Sequence, residues 1–238
     1  SPTPAPRDLP LLRVDDWFGG DVPESLHDAF YEALLAGHEH DTWDPLDHVE
    51  DGVVLPGVAD FGRHRTVLWT LGANGGVLRA AQAESAYHAL EGHVRAGGNL
   101  ILEGFSAATT LSGREWLDGA PPCGPGTFLH DRAGLGGVLN AGAIANPAVP
   151  ENYGYAFLGA TPLAPTGFAP LVVDTLVKWA EGHAAYGGLP LCEVLTPGEG
   201  AESVYLFRSY LNPTLEDRPC VTLYRPLDGT GSVAVLGF

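Results

Sequence analysis

The sequence predicts an α/β domain, with a parallel sheet of about five strands covered by helices on both faces and an antiparallel extension from the C-terminal strands. Three observations lead there. Apolar runs alternate with amphipathic stretches through roughly the first hundred residues, as βαβ units do. Past residue 190 the runs become short and strand-like, separated by turn residues such as Pro197-Gly198 and Asp228-Gly229. Hydrophobic residues make up 45% of the 238, enough to bury a full core and to exclude a disordered chain.

Residues 1–8 read as a linker, because Ser1-Pro-Thr-Pro-Ala-Pro6 alternates proline with small residues; residues 9–238 read as one domain. Leu9 to Val14 is a short apolar run ending at Asp15-Asp16, which gives a buried first strand. Asp21-Val-Pro-Glu24 supplies a cap, an early proline and a glutamate, and Leu26, Phe30, Ala33 and Leu34 then make one apolar helix face. Gly37 ends that helix. His38 to Trp43 is a second strand and Arg65 to Leu71 a stronger one. Leu78 to Arg95 is helical, with Ala83, Tyr87, Leu90 and Val94 on the apolar side, and Gly97-Gly98 stops it. Asn99 to Glu103 is the next strand, expected beside Arg65–Leu71 and parallel to it. Residues 119–170 are rich in Gly, Pro and Ala and show little periodicity beyond Phe128-Leu129. Val172 to Ala180 fits a short helix, although Leu171 to Asp174 fits a strand equally well. Leu191–Leu195, Ser203–Tyr210, Cys220–Tyr224 and Ser232–Phe238 complete the strand set.

The charge balance narrows the function. Twenty-nine acids against 12 bases give −17, and Lys178 is the single lysine. Such a field repels nucleic acid and anionic membrane surfaces, both of which are bound through Lys and Arg. No apolar run reaches the ~18–20 residues of a membrane helix. The chain contains no Met, which together with the leader suggests a processed piece of something longer. Cys123, Cys192 and Cys220 show no CxxC spacing, so zinc and redox motifs are not indicated. The latter two lie in strand-like runs, buried and free or near enough to pair, with Cys123 apart in a Pro/Gly loop.

Candidate sites are few. Gly104-Phe-Ser-Ala-Ala108 follows a strand as a nucleophile elbow does, with Ser106 at the turn, but its fifth residue is Ala where the elbow has Gly. His130 or His183, with Asp131 or Asp174, would have to complete a triad. The competing and favoured reading makes Ser106 a helix N-cap whose hydroxyl accepts from amides two or three residues on. His38, His40, Asp41, Asp44, Asp47 and His48 form the densest ligand cluster. In a strand over 38–44, His38, His40 and Asp44 would share one face and could hold a divalent metal; a polar edge strand is the plainer reading. Asp44, Asp47, Glu50 and Asp51 lack calcium-loop spacing. Asp15 and Asp16, and Asn74 in the loop Gly72-Ala-Asn-Gly-Gly76, lie at strand ends where open α/β sheets place ligands.

One part of the chain carries a family likeness. Thr66-Val-Leu-Trp-Thr-Leu-Gly72, Leu78 and His93-Val-Arg-Ala-Gly-Gly-Asn-Leu-Ile-Leu-Glu-Gly104 resemble the class I glutamine amidotransferase-like modules of secreted multidomain bacterial proteins. Gly37 with Asp41-Thr-Trp-Asp44, Pro190–Pro197 and Ser232–Phe238 extend the likeness over most of residues 9–104 and 189–238. The resemblance implies a flavodoxin-like sandwich, usually without amidotransferase machinery. None of the three cysteines occupies a strand-to-helix elbow, as the nucleophile of an active amidotransferase must. The expectation is a non-catalytic, extracellular or cell-surface module with no cofactor, contacting neighbouring domains or copies of itself. The alternative is a hydrolase using Ser106 or a metal held near His38 and His40.

Overall fold

A computed structural model describes residues 9–17, 24–48, 55–72, 83–104, 106–112, 123–141, 157–163, 167–172, 192–209 and 213–238. Strands β1 (Leu9–Asp16), β2 (His40–Trp43), β3 (His64–Leu71) and β4 (Asn99–Gly104) are the parallel half of a mixed sheet. β6 (Gly159–Pro162), β7 (Leu171–Val172), β9 (Ala201–Arg208), β10 (Pro219–Tyr224) and β11 (Val233–Leu236) complete it in the order β2-β1-β3-β4-β11-β10-β9-β6-β7. β11 runs parallel to β4, with Val233 opposite Leu100, so five strands are parallel and four extend them antiparallel. The expected pairing of the two strongest strands holds, from Thr66 opposite Asn99 to Leu71 opposite Gly104.

Strand alternation splits the parallel half into two faces. Leu12, Val14, Val67, Trp69, Leu100 and Leu102 point one way into the main core. They meet Phe61 of α2 (Val58–Arg63), Leu90 and Val94 of α3 (Ala83–Arg95), Leu111 of α4 (Ala107–Leu111) and Leu129 of α5 (Phe128–Asp131). The opposite face carries Leu11, Leu68 and Ile101, packed under Tyr31 and Leu35 from α1 (Glu24–Leu34) and its last turn. Helices therefore lie on both faces. α3 ends as read: Gly97, at φ +86°, donates its amide to Val94 O at 2.9 Å, and Gly98 donates to His93 O at 2.9 Å.

Three departures from the sequence reading shape the packing around the sheet. The apolar stripe of α1 faces solvent: Leu26, Phe30 and Leu34 are 54%, 59% and 55% exposed. The buried side is His27, Tyr31 and Leu35, chosen because Tyr31 and His27 meet polar partners on the sheet that no aliphatic side chain could satisfy. The run at 191–195 does not join the extension. β8 (Glu193–Pro197) pairs with β5 (Leu135–Asn140) in a separate antiparallel ribbon. β5 escapes the sequence reading because it contains Gly136 and Gly137, which a strand reading penalises; the close approach beside it belongs to Gly198, where a Cβ would stand 3.0 Å from Gly134 O. This ribbon gives Leu135, Val138 and Leu195 to the main core, and Val194 to a second core around Phe157, Phe207 and Cys220. The possible helix over Val172–Ala180 falls almost wholly outside the described residues.

Candidate functional site

The carboxyl ends of the parallel strands gather the polar groups. On the α1 face, Arg13 of β1 is 3% exposed and its guanidinium contacts the Asp15 carboxylate directly. The same nitrogen reaches Asp28 Oδ1 at 3.2 Å and His27 Nδ1 at 3.3 Å. The guanidinium also lies 4.5 Å from the centre of the Tyr31 ring. Two-residue alternation puts Arg13 and Asp15 on one side of the strand, and helical spacing brings His27, Asp28 and Tyr31 down onto them. Trp17 stacks on His27 at 4.3 Å. Tyr31 donates its hydroxyl to Glu103 at the end of β4.

Burial dominates the electrostatics of this cluster. It pushes the Asp15 carboxyl up to about 7, helped by Asp28 and by the charge of Asp44, and opposed by Arg13. Enclosure likewise raises Glu103 to about 7, with the Tyr31 hydrogen bond and Arg13 pulling it down. Burial, and next the Arg13 charge, lower His27 to about 4. Ligand atoms of Asp15, His27 and Asp28 all lie within 4.8 Å of one another, a spacing suited to a metal ion. Arg13 supplies positive charge there already, and its guanidinium occupies the place among the carboxylates that a cation would take.

The second cluster surrounds the turn between β4 and α4. Ser106 has φ +53° and ψ +39°, the left-handed conformation, and is 6% exposed. Gly104 before it has φ +129°, and a Cβ there would fall 2.3 Å from Leu71 O, so the strand end passes against β3 as only glycine allows. The N-cap expectation is corrected in part. Ser106 O accepts from Thr110 N at 2.8 Å, but its side chain makes no capping bond. Glu193 of β8 caps the helix instead. Its carboxylate accepts from Ala108 N at 2.8 Å and Thr109 N at 2.9 Å, and also from the Thr109 hydroxyl. Glu193 is fully buried; desolvation raises its pKa while these three donors hold it down. Burial, and next the Glu193 charge, also raise the Cys123 thiol to about 11.

The other predicted residues are dispersed. Asp16 is buried on the main-core face, where its carboxylate accepts from Trp69 Nε1 at 3.2 Å. His38 precedes β2, and His40 opens it with Nδ1 2.9 Å from His38 O. Asp44 follows the far end of β2, about 13 Å along an extended chain from His40, so the three do not converge. Asp44 acts instead on Asp15. Asp41 meets His64 Nε2 at 3.1 Å. Asn74, Asp174 and His183 lie outside the described residues. His130 sits at the opposite end of the sheet from Ser106, paired with Asp131. Sequence reasoning missed His27, Asp28, Tyr31, Glu103 and Glu193. The one legible sign was a carboxylate inside an apolar strand run, which both Glu103 and Glu193 show. A comparison with protein-family models and with curated proteins gave no match to this chain.

Proposed function

We propose that this chain is a non-catalytic module of a larger secreted or cell-surface protein. It is built on a flavodoxin-like, glutamine amidotransferase-like sheet and serves in structure, assembly or ligand binding. The observation behind this reading is Glu193. At a working nucleophile elbow the first amides of the following helix face the reacting centre, where they stabilise developing negative charge. Here the Ala108 and Thr109 amides are taken by a buried carboxylate that fills the anion position and would oppose an oxyanion. Ser106 beside them is nearly enclosed. The thiols offer no substitute nucleophile, since burial raises all three above their ordinary range.

The strand order β2-β1-β3-β4-β11 is that of flavodoxin-like sheets, 2-1-3-4-5, and supports the fold half of the reading. Among the described residues no helix is long and apolar enough to cross a membrane. Partners are then neighbouring domains or copies of the chain, with no cofactor and no nucleic acid. The test is hydrolysis of a panel of esters, amides and free glutamine by the parent chain and by Ser106→Ala. No turnover is expected from either. Turnover by the parent that disappears in Ser106→Ala overturns the proposal in favour of a serine hydrolase.

A further inference from the structure

A cleft of about 800 Å³ opens at the amino ends of the parallel strands, the end remote from Ser106 and Arg13. We propose that it binds a neutral saccharide, with Tyr224 as the stacking platform. Tyr224 ends β10 half-buried, and its ring lies against the backbones of Gly134 and Gly200. A Cβ at Gly134 would stand 2.6 Å from Tyr224 Cδ2, and one at Gly200 would stand 3.4 Å from Cε2. Both glycines have positive φ, so two turns bring bare main chain up to the ring. That fixes the ring's orientation within the cleft it lines.

Most of the charged groups around the ring are held in place by partners within the chain. Arg225 is bound to Glu202, and Arg132 faces Glu91 at 3.5 Å. The Asp131 carboxylate is held by Gly126 N at 3.1 Å and by His130 Nδ1 at 2.7 Å. Asp228 Oδ1 accepts from Thr230 N at 3.0 Å and from its hydroxyl at 2.7 Å. The lining sets three carboxylates, Asp131, Glu199 and Asp228, beside two guanidiniums, Arg132 and Arg225, so an anion and a cation would each meet like charge there, and the buried Nε of Arg132 has no hydrogen-bond partner among the described residues. A neutral ligand bearing many hydroxyls escapes both conflicts. Such a ligand donates to the oriented carboxylates and accepts from guanidinium N–H groups, while the C–H face of its ring covers the tyrosine. The cleft is independent of the Ser106 turn, so this inference stands or falls separately from the non-catalytic reading.

Titration calorimetry of the whole chain against neutral oligosaccharides of glucose, xylose and N-acetylglucosamine, with inorganic phosphate as the anionic probe, tests the proposal. At least one saccharide is expected to bind in the millimolar range or tighter. Tyr224→Ala should weaken it about tenfold, the loss of one stacking contact. Circular dichroism checks that this variant is folded. Should it unfold, Glu199→Ala and Arg225→Ala, both on exposed side chains, take its place, each expected to weaken binding several-fold. No binding by any of the saccharides, binding unchanged in these variants, or phosphate displacing the saccharide would each overturn the assignment.

Discussion

Ala108 and Glu193, 85 positions apart, meet through a 2.8 Å hydrogen bond from the Ala108 amide to Glu193 Oε2. It ties the first turn of α4 to the β5–β8 ribbon, and so joins the parallel half of the sheet to the ribbon laid over it. Glu193 is held from behind as well, since its own amide donates to Gly237 O at 2.6 Å, just past β11. A helix of five residues is too short to persist without such help. The left-handed turn at Ser106 persists because both its flanks are fixed: Gly104 against Leu71, and α4 against Glu193.

Glu193→Ala should destabilise the chain by about 3–5 kcal/mol, because it strands two buried amides and a hydroxyl that each cost about 1–3 kcal/mol when unmade. Glu193→Gln keeps one acceptor and should cost roughly half as much. Urea unfolding followed by tryptophan fluorescence gives both values. A loss under ~1 kcal/mol for the alanine variant would mean that the carboxylate is not what holds α4.

The reversed face of α1 makes a sharp comparison. Tyr31 is 3% exposed, packs on Leu35 and Leu68 and bonds Glu103, whereas its neighbour Phe30 is 59% exposed. Tyr31→Ala is expected to cost about 3–5 kcal/mol, the usual loss for a buried aromatic. Phe30→Ser should change stability by no more than ~0.5 kcal/mol. Equal losses at the two positions would restore the face read from the sequence.

That reversal shows where the sequence was readable and where it was not. Arg65–Leu71 and Asn99–Glu103 stood out because a strand buried on both sides is apolar at nearly every position, so pattern alone placed them side by side. α1 was placed correctly and turned wrongly, since apolar spacing cannot anticipate that Arg13, two residues from the end of an apolar run, would recruit a polar helix face. β5 carries two glycines that blur its strand pattern, and its pairing with β8 is a long-range fact with no local trace. Ser106 was found by its place after a strand, but its capping partner came from a residue 85 or so positions away, which no spacing rule reaches. Asp15 was legible as a strand-end carboxylate; its companions His27 and Asp28 were not, because the helix that brings them was read with its other side inward.

The cysteines make a chemical prediction. Burial raises Cys123 to about 11 and Cys220 to about 12, and it holds Cys192 well above the ordinary thiol range. All three are free. At pH 8 each is overwhelmingly the thiol, which reacts slowly with alkylating agents. Iodoacetamide labelling of the native chain should therefore be slow at all three, with full labelling in denaturant. Rapid native labelling of Cys123 would show a thiolate that burial, together with the Glu193 charge, should forbid.

The Arg13 cluster should tilt stability with pH. Asp15 and Glu103 ionise near 7 in the folded chain, against ordinary values of 3.8 and 4.5. Folding therefore takes up a proton at each once the unfolded carboxyl has released its own. The stability this gives is complete below the ordinary values and is lost as pH rises through about 7. His27 works in the other direction. Its folded value of about 4 lies below the ordinary 6.5, so folding expels a proton between those limits and the contribution is lost as pH falls through them. Between about pH 4.5 and 6.5 the cluster gains two protons and loses one, so it lowers stability by ~1.4 kcal/mol for each unit of rising pH. Asp15→Asn and Glu103→Gln should each remove about that much slope, which urea titrations across the range will show. In the double variant only His27 remains, and the cluster's contribution should rise with pH. If the double variant keeps the parent's slope, the two carboxyls are not carrying protons into the fold.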